Sequence, residues 1–245
     1  MELRFPFDPV EKSTEAESLV MKDKKRLYHR FRPAPYYGGI ATADAVGCSF
    51  LCAYCWNYYR NLDPSRFESF YSSQQVASRL LNIARRKHFN LFRITGSEPI
   101  LGEASFDHLI EVVKTIFKEK PHSVFILETN GFFLGWREDL IEKLKFQNLW
   151  VRVSLKGVDE GSFELITGAR GEFFQYPLIA LKELENQEIK AWPAIMRNLF
   201  TSEEITQLRG FIEKYGIKSQ LEQETLEEYP LVIENLNKRK VLIKS

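Results

Sequence analysis

All three cysteines of the chain lie within eight residues, in the loop Cys48–Cys55, at Cys48, Cys52 and Cys55. Spacings of three and two residues allow one loop to turn three thiolates toward a single centre. Thiolates are soft ligands that suit zinc and iron–sulfur clusters. An odd, clustered set of cysteines is not the arithmetic of a disulfide framework. The pattern therefore predicts metal or redox chemistry at this loop.

The number of available ligands limits which kind of metal site the loop can form. A closed structural zinc site takes four ligands, and the chain has no fourth cysteine. Three thiolates on a cubane cluster leave one iron open to a substrate or cofactor, whereas electron-transfer clusters are normally held by four cysteines. A three-ligand zinc site and three small buried side chains stay as alternatives. We assign no role to the four histidines, which are scattered along the chain: His29, His88, His108 and His122.

The elements that position this loop alternate between strands and helices. Apolar runs predict six strands with helices between them, over residues 40–46, 91–95, 124–129, 149–155, 190–196 and 217–221. This alternation implies an α/β fold with a parallel sheet and right-handed crossovers. A doubly wound open sheet and a barrel compete.

The length of the chain favours the barrel in an incomplete form. A full (β/α)8 barrel usually takes about 250 residues, and residues 1–38 look like an N-terminal extension. We predict a partial, open (β/α)6 TIM-like barrel over residues 39–222, with residues 223–245 as a C-terminal tail that packs on it.

Polar residues stand where the predicted strands end, which is where such folds build their sites. These strand ends carry Cys48, residues 95–98, Thr129 and Asn130, Ser154 and Lys156, Arg197 and Asn198, and Gln220 and Glu222.

The cysteine loop after the first strand resembles the main motif of the radical S-adenosylmethionine (SAM) superfamily. Tyr54 stands where that family has an aromatic residue near the adenine. The segment after the second strand, with Gly96, Ser97, Glu98 and Pro99, resembles the family's GGEP element, which holds the methionine amino group. A turn that exposes carbonyls and a carboxylate suits an ammonium group. Ser97 replaces the second glycine of the pattern.

Weaker matches follow the later strands. Thr129 and Asn130 resemble the TNG segment of activase-like members, and a simple turn is the alternative. The resemblance implies that Ser154 and Lys156 reach the ribose or carboxylate of SAM. Arg197 is a further candidate for the SAM carboxylate. Surface charges are the alternative for Lys156 and Arg197.

The resemblance implies a [4Fe–4S] cluster and SAM as cofactors, and an electron donor such as ferredoxin or flavodoxin. Reductive cleavage of SAM would give a 5′-deoxyadenosyl radical that acts on an unidentified substrate. The short chain and the run from Ser154 to Ala169 look most like glycyl-radical activases and their relatives. A small molecule or a protein glycyl-radical partner is the expected substrate. A radical SAM enzyme that modifies tRNA or other RNA, and a non-catalytic iron–sulfur module, are the alternatives.

Charge and hydropathy limit which partners and which cellular location we expect for the protein. A net charge of +1 argues against a protein built mainly to hold nucleic acid. The basic segment Lys22–Arg32 is interpreted as a solvated face, or as a docking surface for an acidic protein or RNA. We find no apolar run of membrane-spanning length and no apolar signal segment at the N-terminus. We therefore expect a cytoplasmic protein without a membrane partner.

Overall fold

The computed structural model describes residues 4–244, and its described strands form one sheet. The strands are β1 (Met21–Lys22), β2 (Lys25–Ala34), β3 (Ile40–Ala45), β4 (Phe70–Tyr71), β5 (Leu91–Thr95), β6 (Val124–Thr129), β7 (Leu149–Leu155), β8 (Ala191–Met196) and β9 (Glu222–Glu224). Their order is β1-β2-β3-β5-β6-β7-β8-β9, with β4 paired to β2.

The sheet is mostly parallel and open. The six strands β3 and β5 to β9 pair in parallel, whereas β1, β2 and β4 pair antiparallel. This architecture confirms the predicted partial α/β barrel. The last strand is misplaced in the prediction, because the backbone amides of Lys218 and Ser219 donate to the carboxylate of Glu185. The amide of Ile217 donates to the carbonyl of Ile212 at 3.1 Å and so closes the preceding helix. The strand begins at Glu222.

Helices cover one face of the sheet. They are α1 (Pro9–Val20), α2 (Tyr58–Leu62), α3 (Ser73–Lys87), α4 (Glu103–Glu119), α5 (Phe132–Trp136), α6 (Glu160–Thr167), α7 (Gln175–Asn186), α8 (Ser202–Lys214) and α9 (Pro230–Lys238). Helix α3 begins at a capping box formed by Ser72 and Gln75. Among residues 4–244, no helix has the length and apolar character needed to cross a membrane.

Successive strand residues point to opposite faces, so the sheet has two different surfaces. On the helix side, Ala43, Phe92, Phe125 and Val151 belong to the main core. On the concave side, a smaller apolar cluster fills the part of the half-barrel where the parallel strands begin. Its members are Ala34, Ile40, Ile126, Leu91, Val124, Trp150 and Trp192.

Residues 21–34 of the predicted N-terminal extension join the same sheet as β1 and β2. Strand β2 lies antiparallel to β3, with Phe31 opposite Ala43. Helix α1 packs through Ala16 and Val20 against Leu27, Val46 and Leu101. Beyond β9, the guanidinium of Arg239 donates to the carbonyl of Ile166 at 3.1 Å. Both ends of the chain therefore contact the central strands and helices.

Candidate functional site

The cysteine loop leaves the end of β3 through Gly47, whose φ of +90° lies in the left-handed region. A Cβ atom there would lie 2.9 Å from Cγ1 of Val20, so the position takes glycine. Farther along, the amides of Leu51 and Ala53 donate to the carbonyls of Thr167 and Ile166 at 3.0 and 2.8 Å. The C-terminal end of α6 thereby fixes the loop that carries the thiols.

The three thiols of the loop lie in a largely buried setting. Cys52 is buried, and Cys48 and Cys55 are partly exposed. Burial raises the pKa of each thiol, to about 12 for Cys55, and the negative charge of Cys52 raises the pKa of both Cys48 and Cys55 further. The thiols are therefore protonated at neutral pH until a metal displaces the protons.

Nitrogen donors approach two of the sulfurs. The amide of Phe50 lies 3.4 Å from Sγ of Cys48, and Nδ2 of Asn61 lies 3.6 Å from Sγ of Cys55. Nδ2 of Asn130 is 3.9 Å from Sγ of Cys48. Hydrogen bonds to cysteine sulfur stabilise thiolate ligands and tune iron–sulfur clusters. Within residues 4–244, no group of three or more His, Cys, Asp or Glu side chains is arranged around a single metal ion. In a cubane cluster, each of the three thiols would instead bind a different iron. The three cysteines of this loop suit that arrangement.

The turn after β5 lies against the residues that follow the cysteines. Gly96 has a φ of +85°, and a Cβ atom there would lie 3.0 Å from Cβ of Asp44. Its carbonyl accepts from Nδ2 of Asn57 at 2.5 Å. The hydroxyl of Ser97 donates to Oδ1 of Asn61 at 2.7 Å. Glycine stands at position 96, where the backbone needs it. The hydroxyl of Ser97 joins the turn to the cysteine loop.

Glu98 is buried, with an exposed fraction of 3%, and Pro99 is buried beside it. The carboxylate of Glu98 accepts from the hydroxyl of Thr129 and the amide of Asn130, both at 2.7 Å, and from the amide of Ile100 at 3.1 Å. Burial raises its pKa to about 7 against the opposing effect of these bonds. The side chain therefore joins the ends of β5 and β6.

Asn130 lines the site together with the cysteine loop and the turn after β5. Its Nδ2 donates to the hydroxyl of Ser49 at 2.9 Å, and its Oδ1 accepts from the amide of Phe132 at 2.9 Å. The segment is thus a turn, as the simpler interpretation has it. The same turn also contacts the cysteine loop and Glu98, so it belongs to the site.

The remaining predicted residues lie at later strand ends. Nζ of Lys156 is 5.4 Å from the ring centre of Tyr54, and its charge lowers the pKa of Cys52 against the stronger effect of burial. The hydroxyl of Ser154 accepts from Arg152 at 3.3 Å. Arg197 donates to the carbonyl of Phe200 and the hydroxyl of Ser202. Arg197 is therefore engaged at the start of α8.

A layer of charged side chains on the concave face was not predicted from the sequence. Arg93 donates to Oγ1 of Thr42 at 3.0 Å and to Glu128 at 2.7 Å. Glu128 also accepts from Thr95 at 2.6 Å and from the phenol of Tyr37 at 3.0 Å. Burial alone would raise the pKa of Glu128, but Arg93 and Thr95 hold it below its ordinary value.

The layer continues to both edges of the parallel strands. Arg152 pairs with Glu222 at 3.1 Å and with Glu224 at 2.7 Å. At the other edge, the fully buried Asp44 pairs with Arg30 and with Arg32. The sequence feature that could have revealed this layer is the period-two polar pattern inside β3, β5 and β7, which we interpreted only as strands.

Comparison with known proteins places these features in a family. The model of the radical SAM superfamily matches residues 44–204, well over half of the chain. Among curated proteins, the "GTP 3′,8-cyclase" of Microcystis aeruginosa is 30% identical over 124 residues, which cover 51% of this chain and 36% of that protein. The same-named protein of Nostoc punctiforme is 26% identical over the same shares. The chain thus spans about a third of the length of these relatives.

Solved structures share the fold. Streptococcus suis SuiB bound to S-adenosylmethionine has a TM-score of 0.61 at 16% identity, covering 82% of this chain and 41% of that one. A spore photoproduct lyase mutant with bound AdoMet has a TM-score of 0.61 at 11% identity, covering 88% of this chain and 65% of that one. At these identities the likeness is one of fold.

Proposed function

Since this chain belongs to the radical SAM superfamily of enzymes, which use a [4Fe–4S] cluster and SAM, we propose that Cys48, Cys52 and Cys55 are its cluster ligands. The observation that carries the proposal is the loop that presents all three thiols at the end of β3, beside the turns that follow β5 and β6. When bound, the cluster supplies one electron to cleave SAM into methionine and a 5′-deoxyadenosyl radical, which abstracts hydrogen from the substrate.

The protein's own groups bind and orient SAM in this proposal. Backbone carbonyls of residues 96–98 accept from the methionine ammonium, those of Gly96 and Glu98 through the lone pair that Asn57 and Arg26 leave unused. The carboxylate of Glu98 keeps this turn in place through Thr129 and Asn130. Tyr54 lies along the adenine. Lys156 and Ser154 bind the ribose or the carboxylate, and Arg197 remains a candidate for the carboxylate. The buried walls exclude water from the radical, which prevents side reactions.

We propose that the substrate is a polar small molecule bound over the charged layer. Buried Arg93 and Arg152 form the base of the charged layer. The side chains of Arg30, Glu222 and Glu224 are 44%, 38% and 41% exposed. A face with both donors and acceptors suits a substrate that carries both kinds of group. An apolar substrate would bury these charges without replacing their water, at a cost of several kcal/mol.

The test is anaerobic SAM cleavage. The protein is reconstituted with iron and sulfide, given SAM and dithionite, and assayed for 5′-deoxyadenosine. We expect product from the wild type and from Thr206→Ala, an exposed control, and none from Cys52→Ala. Product from Cys52→Ala would remove Cys52 from the ligand set. A fully formed cluster with no product, even after cell extract supplies substrates, would favour a non-catalytic iron–sulfur module.

The same assay separates substrate classes. GTP is a first probe, because the relatives in cyanobacteria are named for it, and a fractionated small-molecule extract is the second. Stimulation of 5′-deoxyadenosine formation by the small-molecule fraction supports the proposed substrate class. Stimulation only by the RNA or the protein fraction would contradict it and favour RNA modification or glycyl-radical activation. Ferredoxin or flavodoxin can replace dithionite to test the electron donor.

A further inference from the structure

The basic segment Lys22–Arg32 contains one arginine that does not face solvent. Arg26 has an exposed fraction of 1%, although Lys24 and Lys25 beside it are exposed. Its Nη2 donates to the carbonyl of Glu98 at 2.7 Å and approaches the carbonyl of Val46 at 3.5 Å. Within residues 4–244, its Nε and Nη1 are buried without a hydrogen-bond partner.

The two carbonyls belong to the two loops of the proposed site. Val46 lies two residues before Cys48, and Glu98 ends the turn after β5. The amide of Glu98 also donates to the carbonyl of Gly47 at 3.1 Å. Arg26 therefore lies directly behind the point at which the cysteine loop and the turn after β5 meet.

The surroundings make this an expensive position for a cation. Leu27, Val20, Val46 and Leu101 form a buried apolar cluster in this region. A buried charge costs several kcal/mol when carbonyls rather than a carboxylate receive it. Burial lowers the pKa of Arg26, and the negative charges of the nearby Glu17 and Glu98 oppose this effect.

The carboxylate of Glu17 acts on the guanidinium only at a distance, since the hydrogen bonds of Arg26 go to carbonyls. It accepts from the amide of Ser105 at 2.8 Å, at the first turn of α4. The carboxylate of Glu98 is held by Thr129 and Asn130. Within the part of the chain that the structure describes, Nε and Nη1 of Arg26 thus lack an acceptor, and its positive charge is offset only by carboxylates that do not bond to it.

We propose that Arg26 is a positioning residue that locks the cysteine loop to the turn after β5 and supplies the positive charge that raises the reduction potential of the bound cluster. The inference rests on the proposed function. Three thiolates and a [4Fe–4S] core carry net negative charge, and reduction adds to it. A buried cation stabilises the reduced form more than the oxidised form, because charges interact strongly in a low dielectric.

The test compares Arg26→Met, Arg26→Lys and Ser13→Ala in the full-length reconstituted protein. Methionine fills the buried volume without charge, a replacement that buried ionic groups often tolerate. Lysine keeps the charge. Ser13 donates to the carbonyl of Leu101 at 2.7 Å, so its alanine variant loosens the same region without a change in charge. The readout is the midpoint potential of the cluster, from a redox titration followed by electron paramagnetic resonance.

We expect a more negative potential in Arg26→Met, a potential near that of the wild type in Arg26→Lys and in Ser13→Ala, and SAM binding weakened about tenfold in Arg26→Met alone. An unchanged potential in Arg26→Met overturns the inference. If that variant holds no cluster, Arg26→Lys decides. A wild-type potential in Arg26→Lys supports the inference, and a lowered potential or a folded protein without a cluster overturns it. A wild type that itself assembles no [4Fe–4S] cluster contradicts the proposed function instead.

Discussion

The carboxylate of Glu98 holds together two neighbouring turns of the site. It accepts three hydrogen bonds, two of them from Thr129 and Asn130 at the end of the next strand. The resemblance alone led us to expect a carboxylate directed at the ammonium of SAM. The structure adds a positioning role, since the same side chain fixes the backbone whose carbonyls we propose as the ammonium's acceptors.

Glu98→Gln should therefore weaken SAM binding about tenfold while the cluster still forms. The amide side chain cannot accept all three bonds, and a buried donor left without an acceptor costs about 1–3 kcal/mol. Anaerobic equilibrium dialysis of SAM, with cluster absorbance recorded in parallel, measures both effects. Glu119→Gln is the control, because Glu119 is exposed at the end of α4. Wild-type affinity in Glu98→Gln would show that Glu98 does not support the SAM site.

His108 is a buried histidine that the proposed chemistry does not use. Its Nδ1 lies 3.3 Å from the carbonyl of Lys24, and its ring packs beside Tyr28. Burial, and to a smaller extent the charge of Arg26, lower its pKa to about 4 from 6.5. Between these two pH values the unfolded chain binds a proton that the folded chain does not, so folding stability falls as pH falls from 6.5 toward 4.

His108→Gln should remove this part of the pH dependence. Between pH 7 and pH 4.5 we expect the wild type to lose about 2 kcal/mol more unfolding free energy than the variant, at about 1.4 kcal/mol per pKa unit. Urea unfolding at both pH values measures the difference. His122→Gln serves as the control, since His122 is exposed. Parallel losses in the wild type and in His108→Gln would contradict the buried neutral state of His108.

Helix α1 supports the site through the first turn of α4. The N-cap of α4 is Gly102, which has no side chain to accept from the helix amides. The carboxylate of Glu17 does so instead, accepting from the amide of Ser105 at 2.8 Å. A Cβ atom on Gly102 would overlap Oε2 of Glu17 at 1.9 Å, so the glycine makes room for the carboxylate. An acidic group also interacts favourably with a helix N-terminus.

Glu17→Ala should lower the free energy of unfolding by about 1 kcal/mol, the usual cost of a lost N-terminal cap. Chemical denaturation of the protein without its cofactors measures the effect. Glu15→Ala removes the same charge from an exposed position on the same helix and should change stability by a few tenths of a kcal/mol at most. Equal effects of the two substitutions would mean that Glu17 acts only through net charge.

The central strands were predictable because their apolar runs are long and end in polar residues. Strands β5, β6 and β7 begin and end where the sequence indicated. Strand β2 was not predicted. Its sequence is dominated by Lys and Arg, and its burial does not alternate, since Arg26, Leu27 and Tyr28 are all buried in succession. Their burial depends on α1 and on the turn after β5, which are distant in the sequence.

The interior of the half-barrel is built in two layers. Near the beginnings of the parallel strands it is apolar, with Ile40 and Ile126. Toward their carboxyl ends it is charged, with Arg93 and Glu128 at its centre. The cysteine loop was recognisable from spacing alone, whereas this layer was not. The two members of each ion pair come from different strands, so only the register of the folded sheet reveals the pairs.

Arg93→Met should destabilise the protein by about 3 kcal/mol, because it leaves the largely buried carboxylate of Glu128 without its guanidinium partner. The double variant Arg93→Met with Glu128→Gln should recover part of the loss, because it removes the unpaired charge. Unfolding free energies of the two single variants and the double variant complete the cycle. Arg66→Met is the control, because Arg66 pairs with Asp63 at 78% exposure and such pairs contribute little. A loss in Arg93→Met no larger than in Arg66→Met would show that the layer is solvated.

The contacts of residues 166–170 bear on how the protein is made. The cysteine loop rests on the carbonyls of Ile166 and Thr167, and the amide and carbonyl of Phe7 bond to Gly168 and Arg170 at 2.9 Å. During synthesis the cysteines are added to the chain more than a hundred residues before these partners. Contacts so distant in sequence form late in folding. We therefore expect the thiols of the nascent chain to stay open to iron and sulfide delivery until most of the barrel has been translated.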